Sequence, residues 1–133
     1  MAQRPSELAM ASLVVYRGAL LGPFISDDFL YIVLHPSVRS PDPQSLAALF
    51  RIGGDAEVAN YAPVHLLLHA IEWQLFGPRV AGYHMANVLV HALNATLLIA
   101  LLITTRIPRS WAVLGGAFFA FHPANVEAVA WIS

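Results

Sequence analysis

The stretch Met85–Thr105, MANVLVHALNATLLIALLITT, contains no charged residue in a chain of 133 residues. As an α-helix its core, Met85–Ile103, would be about 28 Å long at ~1.5 Å per residue, close to the ~30 Å hydrocarbon thickness of a bilayer. The alternative is the buried helix of a soluble protein, but so short a chain could scarcely surround it. We therefore predict a membrane-spanning helix over residues 83–105.

The overall composition agrees with a membrane protein. Hydrophobic residues make up 58% of the chain, charged residues make up 11%, and the formal net charge is −1. This charge balance gives no electrostatic reason to bind nucleic acid, so we predict no nucleic-acid partner. The chain has no cysteine, and it therefore has neither disulfide bonds nor thiolate metal ligands.

Two further apolar segments predict an all-α, polytopic membrane segment of about three spanning helices. Residues 6–22 form the first predicted span and residues 110–132 form the third. A signal peptide is the alternative for the first segment, with Arg4 as its basic start, but Arg17 stands where a cleavage site is expected. We therefore favour a short span that carries an arginine.

The arginines also predict which side of the membrane each segment faces. Arg4 precedes the first span, and Arg106 and Arg109 lie between the last two. Because cytoplasmic loops are enriched in Lys and Arg, these residues should be cytoplasmic. Residues 23–82 and the end of the chain would then lie together on the non-cytoplasmic face of a multi-pass membrane protein.

Residues 23–82 are predicted to be an extramembrane loop with two short interfacial helices. Asp42 followed by a proline is typical of an N-cap with proline at the first helical position, and it predicts a helix over residues 45–52. A longer helix is predicted over Pro63–Phe76, where a Gly-Pro pair ends it.

His65, His69 and Glu72 fall on one face of the longer predicted helix. Two histidines four residues apart can chelate a metal ion, as in helical zinc sites. However, no third ligand is evident, and the glutamate is not where a zinc protease would place it. We therefore predict a solvated polar face here and assign no metal ligand.

The adjacent acids Asp27 and Asp28 stand at the start of the loop, in the stretch Phe24–Phe29. Two neighbouring carboxylates repel each other, and this can prepare one of them to act as a general base. The alternative is structural: Asp27 would cap the following helix while Asp28 faces water.

A polar stripe runs along the predicted span over residues 83–105. It consists of four residues at helical spacing, namely His84, Asn87, His91 and Asn94. Polar groups at membrane depth must face protein, water or a ligand. We interpret Asn94 as part of a hydrogen-bonded seam between helices, whereas for His84 a ligand role and a structural role stay equally open.

Four short motifs in order resemble the N-terminal part of GT-C glycosyltransferases, and most of all the protein O-mannosyltransferase-related membrane proteins that carry tetratricopeptide repeats. The motifs are FISDD at Phe24–Asp28, YAP at Tyr61–Pro63, GYHMAN at Gly82–Asn87 with His91, and HPANVEAVAW at His122–Trp131. Each motif alone is weak, but their order and spacing cover most of the chain from Phe24 onward.

This resemblance implies a sugar transferase. Its donor would be a polyprenyl-phosphate monosaccharide, and its acceptor would be a hydroxyl of a protein or glycan. Asp27 or Asp28 would be the catalytic base. Donor or substrate binding would fall to five residues: Tyr61, Tyr83, His84, His122 and Glu127. The aromatic residues among them are otherwise explained as interfacial anchors, and the resemblance leaves the need for a divalent metal open.

The chain departs from the family pattern at two positions and in length. Ala62 stands where relatives often have arginine, and Asn125 stands where they often have a second histidine. GT-C enzymes also use many more spans, so we expect this chain to be a fragment that is inactive alone.

Two other functions are compatible with the sequence. One is a noncatalytic membrane scaffold whose polar stripe binds a partner subunit. The other is a membrane protein that binds metal through three histidines, His65, His69 and His84. Loss of sugar transfer on substitution of the two aspartates would separate an enzyme from the scaffold. Stoichiometric binding of zinc or copper that is lost in His69→Ala would favour the metal-binding protein.

Overall fold

The computed structural model describes residues 5–54 and 60–132, and every regular element in these ranges is helical. There are seven α-helices: α1 (Pro5–Val15), α2 (Pro36–Arg39), α3 (Pro43–Ala48), α4 (Pro63–Phe76), α5 (Val80–Thr104), α6 (Arg109–Phe121) and α7 (Val126–Ala130). Two 3₁₀ turns (Ala19–Leu21 and Pro123–Asn125) and a π-helical turn (Phe29–Val33) connect them. The all-α prediction is confirmed for the described residues, and Arg4, one of the arginines expected to be cytoplasmic, lies outside them.

Helix α5 is the one helix in the described ranges that is long and apolar enough to cross a membrane. It begins at Val80, three residues before the predicted start, and ends at Thr104. Its exposed side chains form an apolar surface that includes Leu89, Leu93, Leu97 and Leu101, as expected for a helix in contact with lipid. The helix predicted from the uncharged run is thus confirmed in position and length, and by length and composition it could cross a membrane.

The two other predicted spans are not confirmed. Helix α1 has 11 residues and gives way to a turn before the 3₁₀ segment. Helix α6 has 13 residues and stops at Phe121, because the proline at position 123 cannot continue its hydrogen bonding. At ~1.5 Å per residue neither helix alone matches a ~30 Å hydrocarbon layer.

The chain divides into two compact units, and the division falls within α5, between Tyr83 and His84. One unit comprises the residues up to Gly22 together with His84–Ile132. Its core contains Tyr16, Val88 and Val129, with Leu13 packed against them. The other unit is Pro23–Tyr83.

In the first unit, α6 approaches α5 closely at Gly116. A Cβ atom at this position would lie 2.6 Å from Ile99 Cδ1 and 3.2 Å from the carbonyl oxygen of Ala95. A side chain is therefore excluded there, and Gly116 permits the close approach of the two helices.

The break after α6 frees two backbone carbonyls, and side chains satisfy both. Pro123 has no N–H to donate to the carbonyl oxygen of Phe119. The side-chain amide of Asn125 donates to this oxygen instead, from Nδ2 at 2.6 Å. The carbonyl of Ala120 accepts from His91 Nε2 at 3.0 Å and from the Tyr16 hydroxyl at 3.4 Å. The polar seam predicted on α5 is thus present at His91, whereas Asn94 is exposed.

In the unit Pro23–Tyr83, α4 packs against α2 and against the π-helical turn Phe29–Val33. Its core includes Ile32, Val38, Leu66, Ala70 and Tyr83. Helix α4 has the predicted bounds and ends at Gly77, which takes a positive φ of 56°.

Helix α3 has the predicted Asp42 N-cap, begins at Pro43, two residues before the predicted range, and ends early. Asp42 caps it by accepting from the N–H groups of Gln44 and Ser45 at 2.9 and 3.1 Å. The helix stops at Ala48, four residues before the predicted end.

Candidate functional site

The two adjacent acids have different environments. Asp28 is buried, with 2% of its surface exposed, and its Oδ2 accepts a hydrogen bond from the backbone N–H of Ile25 at 2.8 Å. Asp27 is exposed, and its Oδ1 accepts from the Ser26 hydroxyl at 3.2 Å. The structural alternative from the sequence, with Asp27 as a cap and Asp28 in water, is therefore wrong.

The backbone before this pair is strained. Ser26 has a φ of 47°, a left-handed conformation that side chains with a Cβ rarely adopt. Such a residue costs on the order of 1–3 kcal/mol and persists only where surrounding contacts impose it. Here the Ile25–Asp28 hydrogen bond closes the turn around Ser26 and thereby fixes the direction in which the Asp27 carboxylate leaves the chain.

Three polar side chains of α4, in the same unit as this acidic turn (residues 24–28), form a hydrogen-bonded chain in which His69 and Glu72 are buried and His65 is half-buried. His69 Nδ1 is 2.8 Å from Glu72 Oε2, and His69 Nε2 is 2.9 Å from His65 Nε2. His69 and Glu72 are 2% and 3% exposed. The prediction of a solvated polar face is therefore wrong, because this face of α4 packs against other parts of its unit.

The hydrogen-bonding capacities of Glu72, His69 and His65 determine which ring nitrogens carry a proton. An ionised Glu72 can only accept, so His69 must donate from Nδ1. In neutral His69 the Nε2 atom is then unprotonated, and it can accept from His65 Nε2–H. A buried carboxylate thus fixes the tautomer of one imidazole, which in turn orients the second.

Tyr31 connects the acidic turn to this chain. Its backbone N–H donates to the carbonyl oxygen of Asp27 at 3.0 Å, and its ring meets the ring of His65 edge-on, with centroids 5.6 Å apart. Its hydroxyl donates to Asn60 Oδ1 at 3.1 Å. The short turn that begins at Asp27 therefore places the ring of Tyr31 against His65.

The two tyrosines predicted to bind substrate have different positions. Tyr83 is fully buried, donates to the Gly77 carbonyl at 2.9 Å and packs its ring against Phe24, with centroids 5.3 Å apart. It is a core residue that supports the start of the acidic turn, not an interfacial anchor. Tyr61 is 44% exposed and donates to the Phe50 carbonyl at 3.1 Å.

Three other predicted site residues belong to the unit that contains most of α5. His84 is buried, Glu127 is exposed, and His122 Nδ1 accepts from the N–H of Ala124 at 3.1 Å. His122 therefore caps the 3₁₀ turn over Pro123–Asn125. Of the predicted site, the structure brings Asp27, Asp28 and Tyr83 into one neighbourhood, linked through the Phe24–Asp28 turn.

The spacing of His65, His69 and Glu72 was evident from the sequence, but the burial of His69 and Glu72 was missed. The spacing of i, i+4 and i+7 showed that all three share one face of a helix. This spacing is equally compatible with a buried face and with a solvated one. Within residues 5–54 and 60–132, no group of three or more His, Asp or Glu side chains is arranged to hold a metal ion.

Comparison with known proteins identifies curated relatives, although no protein-family model and no solved structure matches the chain significantly. The chain is 32% identical over 127 residues to Protein O-mannosyl-transferase Tmtc1 of Drosophila melanogaster. It is 32% identical over 132 residues to Protein O-mannosyl-transferase TMTC1 of Homo sapiens, and 30% identical over 135 residues to Protein O-mannosyl-transferase F38B6.6 of Caenorhabditis elegans.

These alignments cover 90%, 94% and 92% of this chain, respectively. They cover 14%, 15% and 19% of the relatives, so the chain spans less than a fifth of their length. The similarity includes nearly all of this sequence and confirms the resemblance drawn from its four motifs. Over the segment that it spans, the chain is similar to proteins that are named protein O-mannosyl-transferase.

Proposed function

We propose that the protein containing this segment transfers a mannosyl residue from a polyprenyl phosphate to an acceptor hydroxyl, and that this segment supplies the catalytic base. The names of the relatives support the sugar and the transfer. The observation that carries the role of this segment is the acidic turn, in which an exposed Asp27 stands beside a buried, hydrogen-bonded Asp28.

In this mechanism Asp27 accepts the proton of the acceptor hydroxyl. The hydroxyl oxygen attacks the anomeric carbon, a new C–O bond forms, and the bond from that carbon to the phosphate oxygen breaks. The polyprenyl phosphate leaves with the bonding electron pair, and a single displacement inverts the anomeric configuration. General-base catalysis of this kind contributes about 10²–10⁴-fold in rate.

Asp28 is a positioning residue in this proposal. Its carboxylate holds the N–H of Ile25 and closes the turn, so it determines where Asp27 points without touching substrate. The ring of Tyr83 packs on the ring of Phe24, at the start of the same turn. The sequence left the order of the two acids open, and their burial supports Asp27 as the base.

The remaining assignments rest on the family resemblance. We propose donor binding for exposed Tyr61 and for His84, His122 and Glu127, and a protein hydroxyl as the acceptor. We also propose that the reaction occurs on the non-cytoplasmic face of a multi-pass protein, where the acidic turn meets donor lipid inserted in the bilayer. The full set of spans would then come from the longer protein of which this segment is a part.

The test is sugar transfer by the full-length protein in native membranes. Polyprenyl-phosphate [³H]mannose serves as donor and a serine- and threonine-rich peptide as acceptor. We expect Asp27→Asn to reduce the rate by about 10²-fold or more with normal protein level, since it removes the proton acceptor. Asp42→Asn is the matched control, because it neutralises another exposed aspartate of the same unit that caps a helix. Full activity of Asp27→Asn would refute the assignment.

A further inference from the structure

The proposed reaction makes no use of the hydrogen-bonded chain on α4. Burying two ionisable side chains, His69 and Glu72, in a unit as small as Pro23–Tyr83 has a desolvation cost that apolar side chains would avoid. Ionisable side chains in desolvated positions are common at functional sites. His65, His69 and Glu72 are therefore the strongest candidate for a second site.

The two imidazoles present the same atom to each other. His65 and His69 are four residues apart on one helix, with ring centroids 4.3 Å apart and planes inclined by 65°. Their Nε2 atoms are 2.9 Å apart. Two histidines at this helical spacing can donate both Nε2 lone pairs to one ion.

The distance between the nitrogens suits a metal ion. With metal–nitrogen bonds of about 2.05 Å, two nitrogens at this separation subtend an angle of about 90° at the metal. That angle fits neighbouring positions in a tetragonal or square-planar complex, the geometry that Cu(II) prefers. A tetrahedral ion such as zinc would require the nitrogens to separate by a few tenths of an ångström.

A histidine that binds a metal usually donates its other ring N–H to a carboxylate or carbonyl oxygen, and Glu72 provides this acceptor for His69. Its carboxylate accepts from His69 Nδ1 at 2.8 Å, which leaves Nε2 of the same ring free of its proton for coordination. A carboxylate in this position fixes the ring and makes it a stronger ligand. The metal would in effect replace the proton shared by the two imidazoles.

We propose that His65 and His69 form a two-histidine site for a divalent transition-metal ion, with Cu(II) preferred, and that Glu72 orients His69 from behind. Water or an oxygen atom of a bound molecule completes the coordination, since the described residues offer two imidazoles and no third protein ligand. The site is independent of the proposed sugar transfer, because neither imidazole takes part in that reaction.

The experiment is a Cu(II) titration of the purified 133-residue chain in lipid nanodiscs, followed by electron paramagnetic resonance, with Zn(II) as competitor. We expect one equivalent of bound Cu(II) whose spectrum shows hyperfine splitting from two equivalent nitrogens. His65→Ala should abolish this signal. Glu72→Gln should weaken binding by about 10–100-fold, the usual effect of removing a carboxylate behind a ligating histidine.

Two controls keep the result decisive. His122→Ala removes a histidine of the other unit and should leave the signal unchanged. His65→Ala changes a half-buried residue and leaves the His69–Glu72 pair intact, so circular dichroism should show a folded chain. If wild type and His65→Ala bind Cu(II) alike, or wild type binds none, the two imidazoles share only a proton and the proposal is overturned.

Discussion

The backbone N–H of Ile25 donates to the carboxylate of Asp28 at 2.8 Å, and this single contact distinguishes two acids that are equivalent in the sequence. Asp28 is withdrawn into the unit Pro23–Tyr83, whereas Asp27 stays at its surface. The two acids therefore have different roles: the Asp28 carboxylate holds the turn, and the Asp27 carboxylate is accessible to a substrate.

Substitution of the two acids should therefore separate stability from catalysis. Asp28→Ala should destabilise its unit by about 2 kcal/mol, because the amide of Ile25 loses a charged partner. Asp27→Ala should change stability by no more than about 0.5 kcal/mol, since it is a surface substitution. Trp73 is the one tryptophan of this unit, so its fluorescence during denaturation, in a Trp111→Phe and Trp131→Phe background, reports the difference. Equal losses for the two variants would contradict the assigned roles.

Close packing of α6 on α5 predicts a sharp difference between two neighbouring glycines. Gly116→Ala would place a methyl group against Ile99 and the Ala95 carbonyl, and it should cost about 1–3 kcal/mol, as overpacking usually does. Gly115→Ala meets only the end of the Leu102 side chain, at 3.1 Å, which can rotate away. Unfolding in sodium dodecyl sulfate followed by circular dichroism measures both. A larger effect at Gly115 would show that the helices pack differently.

The carbonyl of Ala120 depends on His91 for its hydrogen bond. His91→Phe should cost about 1–3 kcal/mol, because it leaves that buried oxygen with only the longer contact to Tyr16. His91→Gln retains a donor and should recover part of the loss. Tyr16→Phe should cost less than about 1 kcal/mol. The same detergent unfolding assay ranks the three variants, and a Gln variant no better than Phe would rule out the hydrogen bond as the cause.

The cap of α3 should weaken in acid. The backbone N–H of Ser45, its hydroxyl and the N–H of Gln44 hold the pKa of Asp42 below its usual range. A carboxyl group whose pKa is lowered by folding contributes stability at pH values above about 4, and the contribution is lost as the pH falls through the lowered pKa. The amide resonances of Gln44 and Ser45 should shift in this acidic range. They should not do so in Asp42→Asn, which keeps the cap without a titrating group.

Much of the helical pattern was predictable because its signals are local. Pro63 at a first helical position and Gly77 after the last one set the limits of α4. The aspartate-proline pair set the start of α3, and an uncharged run set α5. Each of these signals acts within one or two helical turns, so neighbouring sequence suffices to read it.

The predicted third span failed to extend as one helix for a reason that involves distant residues. Hydrophobic content continues past Phe121, but Pro123 removes an amide donor, and the freed carbonyls are tolerated because Asn125 and His91 reach them. His91 lies 29 residues away along the chain from Ala120. No reading of residues 110–132 alone supplies that partner.

The sequence by itself determined the helical class, the apolar helix α5, the family resemblance and the two acids as candidates for chemistry. Tertiary structure alone decided that Asp28 is buried while Asp27 is exposed, and that His69 and Glu72 lie inside their unit. The physical reason is that helical spacing assigns residues to a face, whereas burial depends on what packs against that face. Here α2 and the π-helical turn carrying Tyr31 cover part of α4, and both come from a distant part of the sequence.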